Sequence, residues 1–217
     1  MIARRLSATN ALILLNVIVY AWEVASGTNF NSNYSLLAHG ALYAPLVRQG
    51  QWWRIVSGAF EHAGLWHIAL NMFALYQLGS FVEAVLGSRR MLLVYFISLI
   101  GGGLAVVAFS SHDVTVGASG AIFGLFGALL AIGVRLGKRG RGLIGQTLPI
   151  LVINLVFTFA VPFISKSGHL GGLVAGFFAG LALFMLRPRA SSPLVPVVDA
   201  VTGETTDAEL LPPERRR

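Results

Sequence analysis

Four side chains in this sequence combine a reactive type with a matched position in apolar segments: His67, Asn71, Ser119 and His169. Strongly polar groups inside oily stretches are costly to keep and usually mark function. His67 and Asn71 stand four residues apart, which puts them on one face of a helix. Taken alone, that pair suits a shared site and a hydrogen-bonded contact between helices equally well. Ser119 and His169 sit at the heads of two stripes of small residues, Gly120, Gly124 and Ala128 in one case and Gly168, Gly172, Gly176 and Gly180 in the other. Small residues at that spacing let helix backbones approach closely, so a hydroxyl–imidazole contact at the mouth of such a seam is geometrically open. Helix packing by itself would use the same stripes. Metal or haem ligation is a rival chemistry, since His39, His62, His67, His112 and His169 all fall on one side of the expected topology. Cysteine is absent, which removes thiolate nucleophiles, disulfides and thiolate-bound metals.

The elements that must position these residues follow from composition. The 217 residues are 55% hydrophobic and only 12% charged, with a mean hydropathy of +0.73. A soluble domain carries about 25% charged residues, so a soluble globule is excluded. About 20 apolar residues cross a bilayer as a helix, and six stretches meet that rule: Thr9 to Ser26, Leu65 to Leu86, Met91 to Ser110, Gly117 to Val134, Leu143 to Ile164 and Gly168 to Leu186. The expected fold is an all-α polytopic membrane protein with six transmembrane helices. At 1.5 Å per residue, Ser119 and His169 lie roughly one turn inside their helix starts, and His67 and Asn71 one to two turns.

Lysine and arginine set the orientation. Arg4, Arg5, Arg89, Arg90, Arg135, Lys138, Arg139, Arg141, Arg187 and Arg189 gather on one side, against Arg48, Arg54 and Lys166 on the other. The richer side is read as cytoplasmic, with both termini there and the segment 27–64 outside. In that segment Trp52 and Trp53 beside Arg54 suit the headgroup level. The domain reading is a transmembrane unit over 1–187 and a disordered cytoplasmic tail over 188–217. The net charge of +7 does not point to nucleic acid, because the basic residues are separated by spans rather than clustered.

These segments resemble the rhomboid intramembrane serine proteases. Gly117-Ala118-Ser119-Gly120 is similar to their nucleophile motif, and His169 through Gly176, read His-x-x-Gly-x-x-x-Gly, resembles their sixth helix. His67-Ile68-Ala69-Leu70-Asn71 and Trp53-Arg54 resemble the family's second helix and first outer loop. The resemblance covers about residues 10 to 187 and implies hydrolysis of peptide bonds in or beside transmembrane segments of other proteins. It implies Ser119 as nucleophile and His169 as general base, with His67, Asn71 and the Ser119 backbone N–H stabilising the oxyanion. No acidic residue falls at the same depth in a matching span, so a Ser-His dyad is expected. Phe123, four residues after Ser119, is expected to pack on the imidazole in place of the family's frequent Tyr.

Hydrolysis needs water, and Ser111, His112, Asp113 and Thr115, with Ser165, Lys166 and Ser167, are expected together to line a wet opening, although each taken alone reads as ordinary solvated loop. The fifth span keeps its glycines, Gly142 and Gly145, at the inner end and lacks a small-residue stripe, so its outer end is expected to swing as a lateral gate. No cofactor or metal is expected. The expected partners are transmembrane protein substrates and the lipid bilayer, and the location is a multi-pass protein of the cell membrane, best suited to a bacterial plasma membrane. Oligomeric state is not fixed by the sequence.

Overall fold

The computed structural model describes residues 7–110 and 112–186, with 197–198 and 205–206 beyond them. The elements run α1 (Ala8–Ala25), α2 (Asn33–His39), β1 (Leu42–Tyr43), α3 (Ala44–Arg48), α4 (Arg54–Ser57), α5 (Leu65–Leu86), α6 (Ser88–Phe109), β2 (Val114–Thr115), α7 (Ser119–Arg135), a 3-10 turn (Gly137–Gly140), α8 (Arg141–Ala160) and α9 (Lys166–Met185). Among the described residues five helical segments are long and apolar enough to cross a membrane, and α7 is a shorter apolar helix. The chain is a polytopic all-α membrane protein. Of residues 187–217, which form a separate unit, Val197–Val198 and Thr205–Thr206 pair antiparallel; the expected disorder of the tail otherwise lies outside the described residues.

The central helix is α7. Nearly its whole length is buried, from Ala121 to Gly133, as befits a helix that is apolar all round. Its 17 residues span about 25 Å at 1.5 Å each, short of the ~30 Å hydrocarbon thickness. One end of α7 must therefore sit inside the apolar layer. Elsewhere large apolar side chains such as Ile18, Phe73, Ile153, Phe157 and Phe178 face outward, which only a lipid surround makes favourable.

The two glycine stripes meet as expected. A Cβ placed on Gly172 would strike the Gly120 backbone, one on Gly176 the Gly124 backbone, and one on Gly180 would lie 2.5 Å from the Ala128 Cα. A third helix joins this close packing, because a Cβ on Gly102 of α6 would lie 2.8 Å from the Gly168 carbonyl oxygen. Thus α6, α7 and α9 form a tight three-helix block. By contrast Gly142 and Gly145 on α8 have nothing near them.

Capping explains the helix starts. Glu83, at the far end of α5, accepts the Ala8 and Thr9 N–H groups at 2.8 and 2.9 Å and the Thr9 hydroxyl at 2.6 Å, satisfying the otherwise orphaned first turn of α1. Ser165 accepts the Gly168 N–H and opens α9 two residues before the expected start. Helix α8 stops at Ala160, earlier than Ile164, because Pro162 cannot extend it.

Segment 27–64 is built on Arg54, and here the structure departs from the sequence reading. Trp52 and Trp53 are exposed, but Arg54 is buried rather than held at a headgroup surface. Its guanidinium donates to the Leu37 and Ala41 carbonyls, each at 2.9 Å, and to Gln51 Oε1 at 2.6 Å. Leu37 lies in the last turn of α2 and Ala41 just beyond it, where helix-end acceptors are left unpaired, and an arginine fork is suited to collect them. Arg48 donates to the Val107 carbonyl and ties the segment to α6. The short strands β1 and β2 pair antiparallel, joining segment 27–64 to the approach to α7.

Candidate active site

Ser119 is the first residue of α7, not one turn inside it. Gly117 has φ of +109°, open to glycine but strained for other residues. A Cβ there would also lie 2.7 Å from the His67 ring. The chain thus turns sharply around His67 and begins the helix at the serine, whose backbone N–H is one of the unpaired donors of a first turn. His169 is the fourth residue of α9, one turn in as expected.

The seam brings the two together. Ser119 Oγ and His169 Nε2 are 2.7 Å apart, and His169 is buried at 7% exposure. Phe123 stacks on the imidazole with ring centroids 4.1 Å apart and planes inclined by 17°. The imidazole's other nitrogen, Nδ1, lies 2.8 Å from the Thr158 hydroxyl on α8. A small recess beside the pair is lined by Gly102, Gly117, Ser165 and Gly168 as well as by Ser119 and His169.

His67 and Asn71 lie on the neighbouring wall. The Ala63 N–H donates to His67 Nδ1 at 3.2 Å, so the neutral ring carries its proton on Nε2. That N–H faces Gly117, where a Cβ would be 2.8 Å from Nε2. Asn71 is buried, and its Nδ2 donates one proton to the His67 carbonyl at 2.9 Å, leaving the second free. The His62 ring packs edge-on against His67 with centroids 5.2 Å apart.

The residues expected around a wet opening do several things. Ser165 caps α9, Thr115 sits in β2, and Ser167 shares a 2.6 Å hydrogen bond with Ser110. His112, Asp113 and Lys166 are exposed, and Ser111 lies outside the described residues. Among the described residues no group of three or more His, Asp or Glu side chains is arranged to hold a metal ion.

A serine hydroxyl on an imidazole, beside a helix start and an amide, in the layer where apolar helices end, is a recurrent arrangement for acyl transfer. Comparison with known proteins agrees in kind, since the sequence profile of the Rhomboid domain matches residues 49–186. The chain belongs to the rhomboid family. It is 41% identical to Rhomboid protease GluP of Bacillus subtilis over 85% of its own length and 36% of that protein's. Its identity to RHOMBOID-like protein 5 of Arabidopsis thaliana is 37%, covering 69% of this chain and 50% of the relative. For Rhomboid-like protease 1 of Toxoplasma gondii the figures are 36%, 68% and 53%. This rhomboid therefore spans about a third to a half of the length of these relatives.

Two features of the site escaped the sequence reading. Thr158 was not singled out, although Asn154 and Thr158 repeat on α8 the i, i+4 polar spacing of His67 and Asn71. A buried acid group behind His62 was also missed. Glu23, at the end of α1, and Glu61 are almost fully buried, and Glu23 accepts the His62 N–H at 3.4 Å. Burial, reinforced by Glu23 and opposed by Arg54, pushes the Glu61 carboxyl up to about 8. Burial, helped by His67, pushes His62 down to about 3.

Proposed function

We propose that this chain is an intramembrane serine endopeptidase that cleaves transmembrane segments of membrane proteins near the outer membrane face, through a Ser119–His169 dyad. The observation that carries the reading is the 2.7 Å contact between a serine hydroxyl and an imidazole from two membrane helices. In the reaction Ser119 Oγ attacks the scissile carbonyl while His169 Nε2 takes its proton, then returns it to the leaving amine. The Ser119 N–H, the free Asn71 proton and the His67 Nε2–H stabilise the oxyanion. The recess beside the pair is walled mainly by apolar residues and glycines, and Thr115, Ser119, Ser165 and His169 supply the polar groups that would hold the hydrolytic water.

A substrate helix hides its scissile carbonyl in its own hydrogen bonds, so it must reach the serine locally unwound. Helix α8 is the lateral gate in this proposal. It stands outside the tight three-helix block, and Pro149 interrupts its hydrogen-bond ladder, which supports a flexible point between a fixed inner end and a moving outer end. In the same reading both termini lie in the cytoplasm of a bacterial cell, with the protein in its plasma membrane; the excess of Lys and Arg on one side of the spans supports that orientation. The domain reading, a protease unit over 1–187 followed by a tail over 188–217, belongs to the same proposal.

The test uses the full chain purified in detergent with a single-span protein substrate bearing helix-weakening residues. Cleavage by the wild type, and its loss in Ser119→Ala and His169→Ala proteins that still unfold at the wild-type temperature, supports the reading. Cleavage that survives Ser119→Ala refutes it.

A further inference from the structure

The Thr158 hydroxyl has one proton and two hydrogen-bond partners. It lies 2.7 Å from the Asn154 carbonyl, one turn back on α8, and 2.8 Å from His169 Nδ1. A carbonyl can only accept, so the hydroxyl proton goes to Asn154 and the hydroxyl oxygen must accept at the other contact. The donor there is His169 Nδ1–H. The imidazole proton is thereby fixed on Nδ1, and the lone pair on Nε2 is turned to the Ser119 hydroxyl. Thr158 is itself buried, at 1% exposure, so no bulk water competes for the bond.

We infer that Thr158 is a positioning residue: it holds His169 in the tautomer that leaves Nε2 free to receive the Ser119 proton, and it ties that tautomer to the position of α8. The inference rests on the serine protease reading of the site. Ring stacking by Phe123 fixes the plane of the imidazole but discriminates between neither its two nitrogens nor its two flips, because a phenyl ring makes no directional hydrogen bond. The Thr158 contact supplies that missing selection. It also comes from the helix that lies outside the tight block, whereas Ser119 and His169 both belong to the block. Outward movement of α8 therefore removes the Nδ1 acceptor while leaving the Ser119–His169 separation intact, and the base is fully set only when α8 packs back after substrate has entered.

The test compares wild type, Thr158→Ser, Thr158→Val and Ser119→Ala as full chains in detergent, reading kcat and KM for a single-span substrate and the unfolding temperature of each. Valine keeps the branched shape and deletes the acceptor, so kcat falls roughly tenfold or more, the cost of one directed hydrogen bond in a dry site, with KM unchanged. Serine restores both hydrogen bonds and brings kcat back towards wild type. If the valine protein does not fold, Thr158→Ala is read in the same way. A folded Val or Ala variant with wild-type kcat overturns the positioning role, as does a Ser variant no faster than Val. Cleavage by Ser119→Ala marks failure of the protease reading instead, so the two failures are told apart.

Discussion

Gly172→Ala measures how much the site depends on the backbone seam. Alanine is the better helix former by about 1 kcal/mol, so on an unpacked helix the change stabilises. At this position the new Cβ would lie 2.7 Å from the Gly120 carbonyl carbon and closer still to its oxygen. Carbon atoms pack at no less than about 3.5 Å, so α7 and α9 must part by at least about 0.8 Å one turn below His169. Added to the 2.7 Å between Ser119 Oγ and His169 Nε2, that movement brings the pair to about 3.5 Å, the edge of a hydrogen bond. Overpacking of this kind costs about 1–3 kcal/mol, so it cancels or exceeds the helix gain. A displacement near 1 Å at reacting groups lowers turnover roughly a hundredfold. The assay is cleavage of a single-span substrate in detergent, with the unfolding temperature measured alongside. Gly145→Ala is the control, because nothing lies within 4 Å of its Cβ; it keeps full activity and gains stability. A Gly172→Ala protein that cleaves at the wild-type rate refutes the argument that the seam sets the dyad distance.

Three further outcomes are expected. On the proposed mechanism Asn71→Ala removes an oxyanion donor worth about 3 kcal/mol, so kcat drops by about a hundredfold while KM for the single-span substrate stays put. Phe123→Leu keeps most of the volume but loses the plane stacked on His169; with aromatic stacking worth about 0.5–1.5 kcal/mol, kcat falls up to about tenfold with the unfolding temperature near wild type. The pH dependence of stability follows from Glu61 and His62. Between 4.5 and about 8 the unfolded Glu61 carboxyl loses a proton that the folded one keeps, so stability falls as pH rises through that window. Between 6.5 and about 3 the unfolded His62 gains a proton that the folded ring refuses, so stability falls as pH drops. The two slopes oppose each other between 4.5 and 6.5, giving a plateau there, and Glu61→Gln removes the alkaline decline. Thermal unfolding across pH checks this, and a Glu61→Gln protein that tracks wild type above the plateau counts against it.

What the sequence reveals, and what it hides, divides along physical lines. The six helices are legible because a bilayer demands long apolar runs, and each expected span contains a helix. The seam is legible because Gly120, Gly124 and Ala128 face Gly168, Gly172, Gly176 and Gly180 with no side chains to blur the match. Helix starts are less legible: Ser119 opens α7 because Gly117 turns around His67, a contact between residues fifty apart in the chain that no local pattern carries. Arg54 reads as a headgroup anchor beside two tryptophans, yet it serves carbonyls at the end of α2 that become acceptors only once α2 has formed. Thr158 is hidden for a similar reason, since its meaning depends on which nitrogen of a residue on another helix it meets. Glu61 shows nothing in sequence of the burial that raises it.

The glycine seam carries a last consequence. Glycine weakens a helix in water because its backbone has so many alternatives, but in lipid unpaired peptide groups have no partner outside the helix. Helices α7 and α9 are thus already wound when they meet, and the stripe offers naked backbone contact without side chains to freeze. The same feature is fragile outside a bilayer: a short-chain detergent that lets water reach the backbone restores glycine's freedom, and the seam is where unravelling should start.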